Sequence, residues 1–518
     1  LTMDGASSVS SSTAGSGRAG TVSIQTASMT LAGNSEIRTS SSSSGQGGSI
    51  DISARDALNV AAGTIASAAL AGSSGGAGTI RIRGNTMAVG AAGIVNSSTA
   101  GSGAAGKIDI GVTDLTVGGL VTTATSAEGV AGQVLINAQS LRVDGGTIRS
   151  DVLLESATGD GGSVSVVAPT IALANAGVIS SSTVSAGNAG SVSLEADNLT
   201  MDGASSVSSS TAGSGRAGTV SIQTASMTLA GNSEIRTSSS AAGEAGLVSV
   251  HSQNLVMNNS AISSNAENAQ SGTSGNVQIV AENQLIIVDG ASITTTSANS
   301  SAAGAIAIDT GSLSLVGRNS QIATENNSKL SGAAGSIEIY SGSTSLSDGG
   351  TITSNSAQGP AGDIILHLRS DSLLILRGRE DSGVLTTSSV PKTGGRITIE
   401  TPLAIISNGG SILALGEEGG ANVRISTGYF IRSADRLNLL SVNGVLTVNT
   451  INNDVSNGII SDNLQYVDAS RVLKAQCASN RSRGSSTLQI KPLPIDSSSV
   501  SLRISEAILG VTRLYGCR

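Results

Sequence analysis

A glycine followed by aliphatic residues two and four positions later recurs along most of the chain. The anchors are Gly20, Gly48, Gly78, Gly106, Gly132, Gly162, Gly190, Gly218, Gly246, Gly275, Gly304, Gly335, Gly362 and Gly395, and a slipped copy follows Gly420. Spacings run from 25 to 33 residues and centre on 28. The +2 position is always Val or Ile, as in Val22, Ile108, Val220 and Ile337. The +4 position is always Ile, Val or Leu, as in Ile24, Ile110, Ile222 and Ile339. The residue between them is usually polar (Ser23, Asp51, Arg81, Asp109, Ser193, Glu338). Apolar–polar–apolar is the period-two signature of a strand with one buried face. A larger repeat overlies this one. Residues 1–42 recur unchanged at 199–240, an offset of 198 residues that equals seven units and keeps the register.

Each unit holds two further apolar groups. One has the form Leu-x-Val/Leu (Leu115/Val117, Leu141/Val143, Leu313/Leu315); the other is Ile-x-Ser/Thr (Ile65-Ala66-Ser67, Ile148-Arg149-Ser150, Ile352-Thr353-Ser354). Turn-forming residues such as Asp144-Gly145-Gly146 and Asp289-Gly290 separate them. One unit cannot bury its own apolar face, so the units must stack. The predicted fold is all-β: a single-stranded, right-handed parallel β-helix of about 15–17 coils of about 28 residues, with three short strands per coil. The handedness follows from the chirality of parallel crossovers. At about 4.8 Å per coil the rod would be roughly 70–80 Å long. Composition agrees with a narrow bore lined by Val and Ile: there is no Trp, 1 Phe and 4 Tyr in 518 residues. A propeller would need blades of about 40–45 residues, and calcium-binding nonapeptide repeats a period of about nine; neither is present.

The regular rod is assigned to residues 1–430, and 431–518 to terminal coils with a C-terminal cap or tail. A solenoid end exposes strand edges and bore, so a dissimilar cap is expected there. Residues 1–362 carry 12 Lys/Arg and 23 Asp/Glu, whereas 363–518 carry 16 and 13. The net charge of −8 argues against a nucleic-acid partner. Apolar runs of only a few residues, such as Leu373–Leu376, exclude a membrane-spanning helix. The chain starts at Leu1 without a signal peptide, so a fragment of a longer exported protein is expected. Cys477 and Cys517 are the only cysteines; a disulfide between them is a candidate in an oxidising compartment, with two free thiols as the alternative.

The unit AG-[TS]-[VI]-x-I…L-x-[LV]-x-G-x-x-I-x-[ST], clearest at Ala19-Gly20-Thr21-Val22-Ser23-Ile24 and Ala189-Gly190-Ser191-Val192-Ser193-Leu194, resembles the repeats of cyanobacterial filamentous-haemagglutinin-like exoproteins. The segment Cys477-Ala478-Ser479-Asn480 with Ser485-Ser486-Thr487-Leu488-Gln489-Ile490 is similar to the closing segment of those proteins, although their Gly-Arg-Gly-Gly-Leu-Pro is absent. The resemblance implies a pectin-lyase-like β-helix exported by two-partner secretion through an outer-membrane translocation barrel, and a secreted or cell-surface location. It also implies a C-terminal cysteine loop that helps retention at the transporter.

Such scaffolds also carry polysaccharide lyases and glycosidases, so each charged or titratable cluster is a candidate catalytic group. Glu417-Glu418 are neighbours in a Gly-rich turn and should diverge into solvent. Arg377, Arg379, Glu380 and Asp381 occupy the longest unit and read as a charged surface loop. His251 and His367 read as isolated, solvated positions. No catalytic set, cofactor site or metal site emerges. Ser/Thr/Gly loops such as Ser10–Gly17 and Thr295–Ser301 recur in each coil and offer hydroxyls to glycans or to water. The sequons at Asn96, Asn198, Asn258, Asn299, Asn326 and Asn480 are expected by composition alone. The expected function is a non-catalytic adhesin-like rod that binds cell-surface glycans or polysaccharide, with a carbohydrate-active enzyme as the alternative.

Overall fold

The structure, a computed structural model, describes residues 1–378, 384–389, 393–432 and 439–450. Nearly all belong to one compact unit, Leu1–Phe430 with Leu437–Val455. A second unit, Ile431–Arg436 with Ser456–Arg518, lies mostly outside the described residues. So do Cys477, Cys517, Asn480, Arg379, Glu380 and Asp381.

The described elements are all strands. They wind as a parallel β-solenoid of about 15 turns with coils of about 28 residues. One sheet has 20 strands and the other 16. Each strand pairs in parallel with its equivalent one coil away. Val220–Leu229, for example, pairs with Val248–Asn258, setting Val220 against Val248, Ile222 against Val250 and Met227 against Leu255. The short strand Glu234–Ser239 likewise pairs with Ala261–Ala266.

Two of the three expected strands per coil are fused in most coils. Val220–Leu229 is one run of 10 residues that carries both the +2/+4 pair and the Leu-x-Val group. The bend between them costs so little chain that pairing resumes after one residue: Ala196 faces Thr224 and Asn198 faces Ser226, with Asp197 skipped. The run divides where the bend is disturbed. Ser163–Val167 and Thr170–Ala174 are split at Pro169, which has no N–H to donate. Ile364–Leu368 and Leu373–Arg377 are split by a longer turn that holds Asp371 at φ 63°.

The +2 and +4 side chains point into the bore. Ile108, Ile110, Val220, Ile222, Ile337 and Ile339 are buried, and so is Val22. Burial of each contributes roughly 1.5–3 kcal/mol. Ile24 differs and is only half-buried. The segment Thr2–Met3 pairs with Thr30 and Leu31 of that strand, so among the described residues no strand pairs with Ile24 on that side. Its duplicate Ile222, with a full coil beneath, is 2% exposed.

A second column explains the anchor glycines. The hydroxyl of the Ile-x-Ser/Thr group turns inward and is fully buried at Ser67, Ser97, Ser150, Ser181, Ser209 and Ser354. Ser209 Oγ donates to the Gly190 carbonyl (2.7 Å) and accepts from the Gly218 N–H (2.9 Å). Ser67 makes the same clamp between Gly48 (2.7 Å) and Gly78 (2.9 Å). The hydroxyl thus joins the anchor that opens its own unit to the anchor of the next unit. The backbones approach so closely there that a Cβ on Gly48, Gly106, Gly162 or Gly246 would overlap the preceding anchor's carbonyl oxygen. Glycine and serine recur together because each makes room for the other.

Candidate functional site

Outward residues of the long sheet are also stacked by register. The residue five after each anchor forms one column, and its stretch His251–Val280–Asp309–Tyr340–His367–Glu400 is fixed by successive pairings. Along most of the solenoid this column holds small or neutral residues such as Ser53, Gly111, Asn137 and Gln223. Toward its C-terminal side it becomes aromatic and titratable.

The histidines are therefore paired, not isolated. His251 Nε2 shares a hydrogen bond with Glu282 Oε1 (3.0 Å), and His367 Nδ1 shares one with Glu400 Oε2 (3.1 Å). Their partners lie 31 and 33 residues away in sequence but one coil away in space. Tyr340 stacks on His367 with ring centroids 4.8 Å apart and planes 18° apart. Its hydroxyl donates to Glu338 Oε1 (2.9 Å), which holds the phenol above its usual range, and the Glu338 charge acts in the same direction. Arg369 reaches back two coils to Asp309. All of these groups are solvent-accessible, so each ion pair alone contributes little.

Shallow grooves lie along this face. One of about 440 Å³ is lined by Ile365, His367, Arg396, Thr398, Asn422 and Arg424, among others. A second of about 410 Å³ contains Glu195, Asp197, Gln223, His251 and Glu282. A third of about 520 Å³ includes Arg83, Asp109 and Asn137. Beside it Arg83 bridges to Asp109 at 2.9 Å, and Arg81 stands 3.8 Å from both Asp51 and Asp109.

The other sequence candidates disperse. Glu417 and Glu418 are exposed in a turn whose backbone carbonyls at Gly416 and Glu417 accept from Asn443. Arg377 is exposed at the end of its strand. The Ser/Thr loops divide by position. Thr295, Ser297 and Asn299 are buried and organise their turn, with Ser297 Oγ donating to Ser301 O (2.9 Å). Most of Ser10–Gly17 is exposed, whereas its identical copy has Ser209 and Thr211 buried. Among the sequons, Asn299 and Asn326 are buried, and their side-chain amides bond the backbone of the preceding coil (2.6 Å to Ser271 O; 2.8 Å to Ser301 O). Asn96 is half-buried, while Asn198 and Asn258 are exposed.

Among the described residues no group of three or more His, Cys, Asp or Glu is placed to hold a metal ion. No helix there is long and apolar enough to cross a membrane. Comparison of the chain with protein-family models, curated proteins and solved structures returned no match.

Proposed function

We propose that the chain is a non-catalytic, adhesin-like rod, secreted or displayed at the cell surface, whose outer face binds glycans. Coil-to-coil register carries this reading. It aligns polar side chains into columns that run the length of the long sheet, a geometry suited to weak contacts multiplied along a polymer. The repeat pattern adds two-partner secretion through an outer-membrane barrel to the proposal. Purified protein should bind cells or polysaccharide without shortening the polymer. A chain beginning at Leu199 tests the multivalent element, because it starts with the same 42 residues yet lacks seven coils. Its avidity should be lower; depolymerisation by the intact chain would refute the proposal.

A second reading is a carbohydrate-active enzyme. The contact between Tyr340 and His367, with His367 held by Glu400, favours it, since a phenol beside a carboxylate-oriented imidazole is a usable acid–base pair. Polymer cleavage that disappears in Glu400→Gln would establish it.

A further inference from the structure

We propose that the groove between His367 and Arg424 is a binding site for acidic polysaccharide, a chain carrying uronate carboxylates. This rests on the glycan-binding reading above and assigns it a ligand class and a place. Three successive coils each contribute one cationic or donor group to the groove. His367 is on the first strand, Ile364–Leu368. Arg396 immediately precedes the second, Ile397–Asn408. Arg424 is on the third, Val423–Arg432. The Ile364 N–H bonds Arg396 O and the Ile397 N–H bonds Asn422 O, so the coils are in direct succession.

Coils rise by about 4.8 Å. The three groups stand in different columns, with four residues separating His367 from Arg396 along the paired strands, so they border the groove at different places and a polyuronate lying in it can meet each with a different carboxylate.

The guanidiniums retain capacity for such a ligand. Arg424 is exposed and forms no ion pair among the described residues. Arg396 is held loosely, 3.7 Å from Asp363 Oδ2 with its side chain 61% exposed. Each guanidinium presents five N–H donors in a fork that matches a carboxylate. Asp363 and Glu400 are the acidic groups beside the groove, and Glu400 is engaged by His367. The charge of the chain favours the same place. Residues 1–362 carry 12 Lys/Arg against 23 Asp/Glu and repel a polyanion, whereas 363–450 are balanced, with 8 of each. His367 is the one ring among the lining residues and no Phe, Tyr or Trp joins it, so the groove offers bases little stacking surface.

The test uses the full 518-residue chain and three probes: polyuronate, a neutral 1,4-glucan of equal length and a single-stranded oligonucleotide. Polyuronate should bind best, and its binding should weaken with added salt. The double variant Arg396→Ala/Arg424→Ala should bind polyuronate about ten-fold or more weakly, from the loss of charge-assisted hydrogen bonds. Arg55→Ala, which removes an exposed positive charge from the outer face of a distant coil, should bind as the unaltered chain does. Circular dichroism confirms that each variant is folded. Equal binding by the double variant, or preference for the oligonucleotide, overturns the assignment. Binding to cells and neutral glucan but not to polyuronate overturns this inference alone. Binding to no cells and no polysaccharide overturns the adhesin reading with it.

Discussion

Alanine at Gly17 and at Gly215 should have opposite effects, although the two glycines sit in identical 42-residue sequences. Neither has positive φ, so backbone conformation does not separate them. Their surroundings do. A Cβ on Gly17 meets nothing within 4 Å. A Cβ on Gly215 overlaps the Gly187 carbonyl and lies 2.8 Å from the Ala186 oxygen. Both obstacles are backbone and cannot rotate away. Relieving the overlap requires the two coils to separate locally, at a cost of about 1–3 kcal/mol or more. Gly17→Ala meets no such obstacle and reduces the freedom of the unfolded chain, a gain of about 0.4–1 kcal/mol. Solenoid energetics are nearest-neighbour, so the penalty should be local. Hydrogen exchange of peptides spanning 185–220 should accelerate by about ten-fold or more in Gly215→Ala, at about 1.4 kcal/mol per factor of ten. Peptides near Gly17 should exchange no faster in Gly17→Ala. Equal behaviour of the two variants would refute coil-on-coil crowding as the reason for glycine.

Ile222→Asp should lower the urea midpoint strongly, because an unpaired carboxylate in the bore costs several kcal/mol, whereas Ser221→Asp on the outer face should change it little. Ser209→Ala should cost about 1–3 kcal/mol in chemical denaturation by leaving the Gly190 carbonyl and Gly218 N–H without their clamp, and Ser209→Thr should recover most of it. Asp151 is crowded by protein, and desolvation raises its carboxyl above the usual range despite hydrogen bonds from Ser182 N–H and Ser180 Oγ. The folded state therefore holds this proton more tightly than the unfolded chain. Stability falls as pH rises from the ordinary carboxylate range, about 3.9, through the raised folded value. Asp151→Asn should melt higher than the unaltered chain at neutral pH, and the gap should close in acid; a gap independent of pH would contradict this.

The bore was legible in the sequence because period-two patterning and a glycine anchor are local signals. Val220 and Ile222 could be placed inward without any knowledge of what lies above or below. Serine gave no such signal. The Ile-x-Ser motif gave Ser67 and Ser209 no direction, because only a coil-to-coil approach close enough to exclude a Cβ makes an inward hydroxyl favourable. The pairing of His367 with Glu400 was missed because their separation in sequence is a full coil. Counting from the anchors exposes it: both stand five residues after a glycine, Gly362 and Gly395. The bend that fuses two strands left no mark at Asp197, and Pro169 stands at one of the places where the run divides.

The duplicated block has a consequence for inheritance. Because the two 42-residue copies stand a whole number of coils apart, recombination between them adds or removes 198 residues without shifting any glycine from the serine that clamps it. Length is then a character that selection can vary in quanta, leaving the folding problem unchanged. Related chains that differ by 198 residues in this region would be the same machine at another reach, as rulers cut from one tape share their graduations.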